Sequence, residues 1–188
     1  MYKRQIYGRS DGLLTENSPI DPTSLYADTK AAAEGYVLDY GGTVMRFATA
    51  CGVSPRMRLD LMIPEFITAA LHYGHIEVYD SKAWRPFVHI LDIARAVEFL
   101  IHKDAGVWNV GGHNITKYNL AAAVAGRVGN VEIETVPKPD SRSYQVSFDK
   151  LSDAGFLCSR TISDAIRETR NLITAPGFDI AAKEWRNV

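Results

Sequence analysis

The chain has 188 residues, of which 46% are hydrophobic, 23% charged and 10% aromatic, a balance that excludes a fibrous or disordered protein. Twenty-one Lys and Arg stand against 22 Asp and Glu, a net charge of -1. No excess of positive charge exists to hold nucleic acid or an anionic bilayer, so neither is an expected partner. No stretch approaches the roughly 18 apolar residues of a membrane span, no apolar signal core follows Met1, and two cysteines are too few for a disulfide framework. A cytoplasmic location is the expectation.

Residues 8 to 24, with Gly8, Gly12, Pro19 and Pro22, read as a long loop. A helix from Ser24 to Tyr40 follows, capped by Asp21 or Ser24 and stopped by Gly41-Gly42. Thr43 to Phe47 is a short β-branched run suited to a buried strand. Leu59 to Tyr73 carries a helical pattern with Leu61, Phe66, Ala69 and Ala70 inward, and Pro64 within it calls for a break or a late start. Strands are expected at Ile76 to Tyr79 and Pro86 to Ile90. A helix from Leu91 to His102 sets Ile93, Ala94, Val97 and Leu100 on one face, and Val107 to Val110 forms another strand. Beyond Gly111-Gly112 come a helix from about Tyr118 to Val128 and a strand from Val131 to Val136. Short helices at Asp149 to Ala154 and Ile162 to Leu172 close the folded part, the last capped by Thr161 with Asp164 three residues on. From Thr174 onward no pattern is strong.

The sequence holds no G-x-G-x-x-G, G-x-x-G-x-x-G or G-x-x-x-x-G-K loop, and so no recognisable phosphate cradle. Its five histidines never fall at metal spacing with a cysteine or acid cluster, so no metal site is expected, and there is no G-x-S-x-G elbow. Tyr26 and Lys30 do carry chemistry. Four residues apart near the start of a helix, they share one face. An ammonium one turn away favours the phenolate, which makes Tyr26 a credible general base. Alone, Y-x-x-x-K is weak evidence, because most such pairs are surface accidents.

Its surroundings add to it. Ile6-Tyr7-Gly8, Ser24-Leu25-Tyr26, Ala32-Ala33-Glu34, Arg46-Phe47 through Gly52, Arg85-Pro86-Phe87-Val88-His89-Ile90-Leu91-Asp92, Trp108-Asn109-Val110-Gly111 and Asp140-Ser141-Arg142-Ser143-Tyr144 recur in order. In this order the chain resembles the NAD-dependent epimerase/dehydratase family, the extended short-chain dehydrogenases that act on sugar nucleotides. The resemblance runs from about Ile6 to Glu168.

It implies an α/β fold: the C-terminal part of a Rossmann-like doubly wound parallel sheet plus a smaller mixed α/β substrate-binding lobe. Residues 1–58 would be the remnant of the NAD-binding domain, 59–172 mostly the substrate lobe, and 173–188 a tail. The resemblance further implies NAD or NADP as cofactor, held at the ribose by Tyr26 and Lys30, with Tyr26 exchanging the proton of a sugar hydroxyl. Arg85 and Arg142 would bind the diphosphate of a nucleotide-diphosphate sugar, since a guanidinium fork matches phosphate oxygens. His89 and Asp92 read as structural, Trp84 and Phe87 as packing, and Cys51 as a small buried residue.

Two departures matter. Relatives precede the tyrosine segment with a complete nucleotide-binding half, and this chain begins where that half would be ending, which reads as an N-terminal truncation. Lys3, Arg4 and Gln5 stand where a catalytic Ser or Thr and an Asp-Glu pair are expected, so epimerase or ketoreductase chemistry is favoured over dehydration. Pro64 stands where a substrate-contacting Asn is expected. Two readings stay open. One is an enzyme of this family, paired as a homodimer through residues 31–40 or completed by a separate N-terminal half; the other is an inactive remnant or interaction module retaining the nucleotide-sugar lobe. An unpaired apolar edge at Thr43 to Phe47 would make the isolated chain prone to association.

Overall fold

The computed structural model describes residues 6–8, 10–22, 24–137 and 143–180. It is an α/β protein built mainly on parallel strand pairs. Inside the expected loop, β1 (Leu13–Leu14) makes a short parallel pair with β9 (Gln145–Val146). Helix α1 (Leu25–Asp39) starts on Ser24, whose hydroxyl accepts from the Ala27 amide, and is followed by β2 (Thr43–Phe47).

The extended segment continues past Ala48 into β3 (Thr49–Cys51) and changes partner there. β2 runs parallel to β6 (Gly106–Val110), while β3 runs parallel to β5 (Trp84–His89). One run of nine residues, from 43 to 51, therefore serves two strand pairs. β5 also pairs antiparallel with β7 (His113–Thr116), a strand that its mixed sequence His-Asn-Ile-Thr did not announce.

Helix α2 (Met62–Tyr73) shows how Pro64 is tolerated: the helix starts late, and the proline sits in its first turn, where a backbone N–H has no intrahelical acceptor. β4 (His75–Tyr79) pairs in parallel with β8 (Glu132–Val136). Helix α3 (Ile90–Leu100) buries Asp92, Ala96 and Leu100, and Ala94, expected inward, is exposed. The observed face is rotated toward Asp92 because that carboxylate accepts from the Ser159 and Arg160 amides far along the chain.

Helices α4 (Lys117–Val128), α5 (Asp149–Asp153) and α6 (Ile162–Ile173) complete the fold, α6 opening on the expected Thr161–Asp164 capping box. The larger core joins Ile63, Phe66 and Ile67 of α2 to Leu120 and Val124 of α4 and to Ala165 and Ile166 of α6. A second gathers Ala48, Val88, Ala96, Trp108, Val110 and Leu151 around the β2–β6 and β3–β5 pairs. Phe178 and Ile180, in the segment expected to lack pattern, pack against the larger core. Among the described residues no helix is long and apolar enough to cross a membrane.

Candidate active site

Tyr26 and Lys30 lie in the first two turns of α1, and the Lys30 Nζ is 5.7 Å from the centre of the Tyr26 ring. Tyr26 is 40% exposed, and Leu25 and Tyr36 on the same helix and Tyr40 at its C-cap are more exposed still. Ala27 is the one fully buried residue of the fifteen. So little burial would not hold a helix by itself.

Polar contacts hold it instead. Glu34, two turns beyond Tyr26, receives a two-pronged ion pair from Arg46 of β2, one prong being Nε to Oε2 at 3.0 Å. Both side chains are about nine-tenths buried, 10% and 9% exposed. Arg46 Nη1 also donates to the Tyr7 hydroxyl at 2.6 Å and to the Glu16 carbonyl at 3.2 Å. The Tyr7 hydroxyl contacts Asn109 Oδ1 at 2.7 Å, and the Asn109 amide donates to Glu16 Oε1 at 2.8 Å. Burial pushes the Tyr7 phenol up from its ordinary range, against the opposing pull of Arg46. The network ties α1, β2, β6 and the loop before α1 into one unit that fixes where Tyr26 and Lys30 stand. Sequence reasoning did not find it, although a lone arginine in an otherwise apolar strand was the available signal.

A cleft of about 160 Å³ opens at the end of β3. Cys51, Gly52, Met57 and Ile63 form apolar walls, and Arg56 and Arg58 lie along it. Arg58 is engaged by Asp60. The cleft takes in Gly52, where the motif from Arg46 ends, and Pro64, both singled out by the sequence. Burial pushes the Cys51 thiol up to about 12, consistent with a small packed side chain.

The two predicted substrate arginines fare differently. Arg85 lies on β5, only 5% exposed, with Nη1 donating to its neighbour's carbonyl on Trp84 at 2.7 Å and its guanidinium 6.0 Å from the Tyr144 ring centre. It is a buried residue, in contrast to the surface ion pair that is commonest for arginine. Arg142 lies outside the described residues, as do Lys3, Arg4 and Gln5. Next to Trp84 is a polar cavity of about 250 Å³ lined by Ser10, Asp11, Asp80, Lys82, Ser143 and Gln145. Lys82 is its cation, a residue the sequence reading passed over.

His89 and Asp92 bracket the β5–α3 junction. The His89 Nδ1 accepts from the Leu91 amide at 3.2 Å and so caps α3, while Nε2 meets Glu168 Oε2 at 3.0 Å. Asp92 is fully buried and accepts from the Ser159 and Arg160 amides, at 3.1 and 2.9 Å, and from Arg95 at 2.6 Å. Burial alone would raise its carboxyl, but these donors overcome that and hold it below the usual carboxylate range. Phe87 is core. Among the described residues no group of three or more His, Cys, Asp or Glu is placed to hold a metal ion.

The family model described as "NAD dependent epimerase/dehydratase family" matches residues 4–111. The dTDP-glucose 4,6-dehydratase of Actinoplanes sp. is 28% identical over 88% of this chain and 56% of its own length. Among solved structures, dTDP-glucose 4,6-dehydratase from Bacillus anthracis in complex with NAD superposes with a TM-score of 0.76 at 26% identity, covering 88% of this chain and 58% of that one. The Thermus thermophilus UDP-glucose 4-epimerase complex with NAD gives 0.75 at 25%, covering 89% and 60%. The chain spans a little over half the length of these proteins. They include dehydratases as well as an epimerase, so they lend no support to favouring epimerase chemistry over dehydration.

Proposed function

This chain belongs to the NAD-dependent epimerase/dehydratase family, and from that premise we propose that it acts on the sugar of a nucleoside diphosphate sugar, in the cytoplasm, with Tyr26 exchanging a proton at a sugar hydroxyl. The observation that carries the reading is the Tyr26–Lys30 pair, two ionisable groups on one open face of a helix locked to the sheet through Glu34 and Arg46. An exposed phenol can reach a substrate hydroxyl, and a neighbouring ammonium supplies both charge and hydrogen-bond donors.

The cofactor of the family is NAD or NADP, and the residues in hand fit its nicotinamide ribose end: Lys30 would hold the ribose hydroxyls beside Tyr26. When bound, the dinucleotide supplies the hydride acceptor. The sequence holds no glycine-rich loop for the pyrophosphate. The sugar would lie toward the cleft at Gly52, with Arg85 and Arg142 reserved for the diphosphate. Residues 1–58 would then belong to the cofactor side and residues 59–172 mostly to the substrate lobe.

A second reading is a nucleotide-sugar-binding lobe without catalysis of its own. The open face of α1, with Leu25 and Tyr36 and the C-cap Tyr40 largely exposed, favours it, because large apolar and aromatic side chains bared together suit an interaction surface. Calorimetric titration with NAD, and separately with UDP-glucose and dTDP-glucose, decides between the two. Binding of both ligand classes, with Lys30→Met weakening NAD and Arg85→Met weakening the nucleotide sugar, supports the enzyme. A nucleotide sugar without NAD leaves the lobe, and binding of neither ends both readings.

A further inference from the structure

We propose that Glu168 and His89 are positioning residues for the cleft, acting through the Gly52 turn that forms one of its walls. The effect on ligand binding rests on the cleft being the nucleotide-sugar site. Gly52 follows β3 with a φ of +112°, and a Cβ built there would lie 2.8 Å from His89 Nε2 and 3.1 Å from Ile90 Cγ1. The turn thus lies directly against the imidazole edge and the first residue of α3. Gly52 and Ile90 both line the cleft, so whatever fixes the imidazole fixes that wall.

Two contacts fix the ring. The Leu91 amide donates to Nδ1, which leaves Nε2 to carry the ring proton and donate it to Glu168 Oε2 at 3.0 Å. The imidazole is 1% exposed while the Glu168 side chain is 29% exposed, so the buried ring takes its orientation from a carboxylate that reaches in from α6. That carboxylate is itself well placed. The α6 capping box at Thr161 and Asp164 sets the start of the helix, Asp92 clamps the preceding Ser159 and Arg160 amides, and Arg160 Nη1 stands 3.9 Å from the other Glu168 oxygen. Helix α6 therefore reaches the cleft wall through one carboxylate and one ring, although neither lines the cleft. A positioning chain of this kind acts by restricting geometry, and small displacements of a binding wall are costly.

The test uses the whole chain carrying Glu168→Ala, Glu168→Gln or the gentler Glu168→Asp. Two readouts are taken: NMR of the His89 ring nitrogens and the Gly52 amide, and calorimetric affinity for UDP-glucose and dTDP-glucose. Glu168→Ala should shift the Gly52 amide, remove the Nε2–H signature and weaken nucleotide-sugar binding about tenfold. Glu168→Asp, a methylene short but still charged, should move both readouts in the same direction. Glu168→Gln keeps an acceptor oxygen and should restore both. A Gly52 amide that stays in place when the contact is removed overturns the proposal. So does a Gln variant as impaired as Ala, which would show that the acceptor oxygen facing His89 is not what holds the ring and the Gly52 turn. If the Gly52 shift appears and is rescued while the unmodified chain binds neither sugar nucleotide, the positioning chain stands and the substrate reading fails.

Discussion

Removing the Glu34 carboxylate tests whether α1 is held by its ion pair. Glu34→Ala deletes the partner of the Arg46 guanidinium, whose side chain is 10% exposed and which keeps, among the described residues, only the Tyr7 hydroxyl and the Glu16 carbonyl as acceptors. Those neutral acceptors cannot balance its charge. Breaking a buried pair from one side costs about 3 kcal/mol or more, whereas an exposed pair is worth under about 1 kcal/mol. Because Ala27 is the one fully buried residue of α1, apolar packing offers little compensation, and the loss should be about 3 kcal/mol. Urea denaturation followed by circular dichroism measures it, with Arg46→Met and the Glu34→Ala/Arg46→Met pair completing a double-mutant cycle. The double variant should cost clearly less than the sum of the single variants, because no uncompensated charge is then left buried. A loss under about 1 kcal/mol for Glu34→Ala, or strict additivity, would refute the anchoring argument and place this pair among ordinary surface ion pairs.

Asp92 has a carboxyl held below the usual range in the folded state, so its contribution is present above the unfolded carboxylate pKa of about 4 and is lost as pH falls through the lower folded value. Melting temperatures from pH 7 to 3 should fall on the acid side, and Asp92→Asn should lower stability at pH 7 while flattening that acid limb; an unchanged limb would count against the clamp. Thr169 is fully buried and its hydroxyl has no hydrogen-bond partner among the described residues, so Thr169→Val should stabilise the chain by about 1 kcal/mol in denaturant titration, and a destabilised variant would show that the hydroxyl is in use. A Cβ at Gly111 would sit 2.4 Å from Phe148 Cζ and 2.9 Å from Ala48 Cβ. Gly111→Ala should therefore cost about 1–3 kcal/mol by overpacking, and a melting point equal to that of the unmodified chain would refute it.

What the sequence by itself determined is mostly local. The four-residue spacing that puts Tyr26 and Lys30 on one face and the Thr161–Asp164 box follow from helical periodicity and from hydrogen bonds spanning three or four residues, which hold wherever the helix is placed, whereas the choice of Ser24 over Asp21 as the α1 cap came from the structure. The ordered motifs from Ile6 to Tyr144 also carried the family, because they were numerous enough to outweigh chance. Strands without a clear pattern, such as His113–Thr116, were not legible, since their pairing depends on a neighbour far along the chain. The tertiary structure alone decided which charges meet. Arg46 reaches Glu34 across the α1–β2 connection, and Glu168 reaches His89 from 79 residues away. It also decided that Arg85 is buried on β5, and that residues 43–51 change strand partner at Ala48. Long-range partners are set by how helices and strands cross over and stack, and no spacing within a single segment encodes that arrangement.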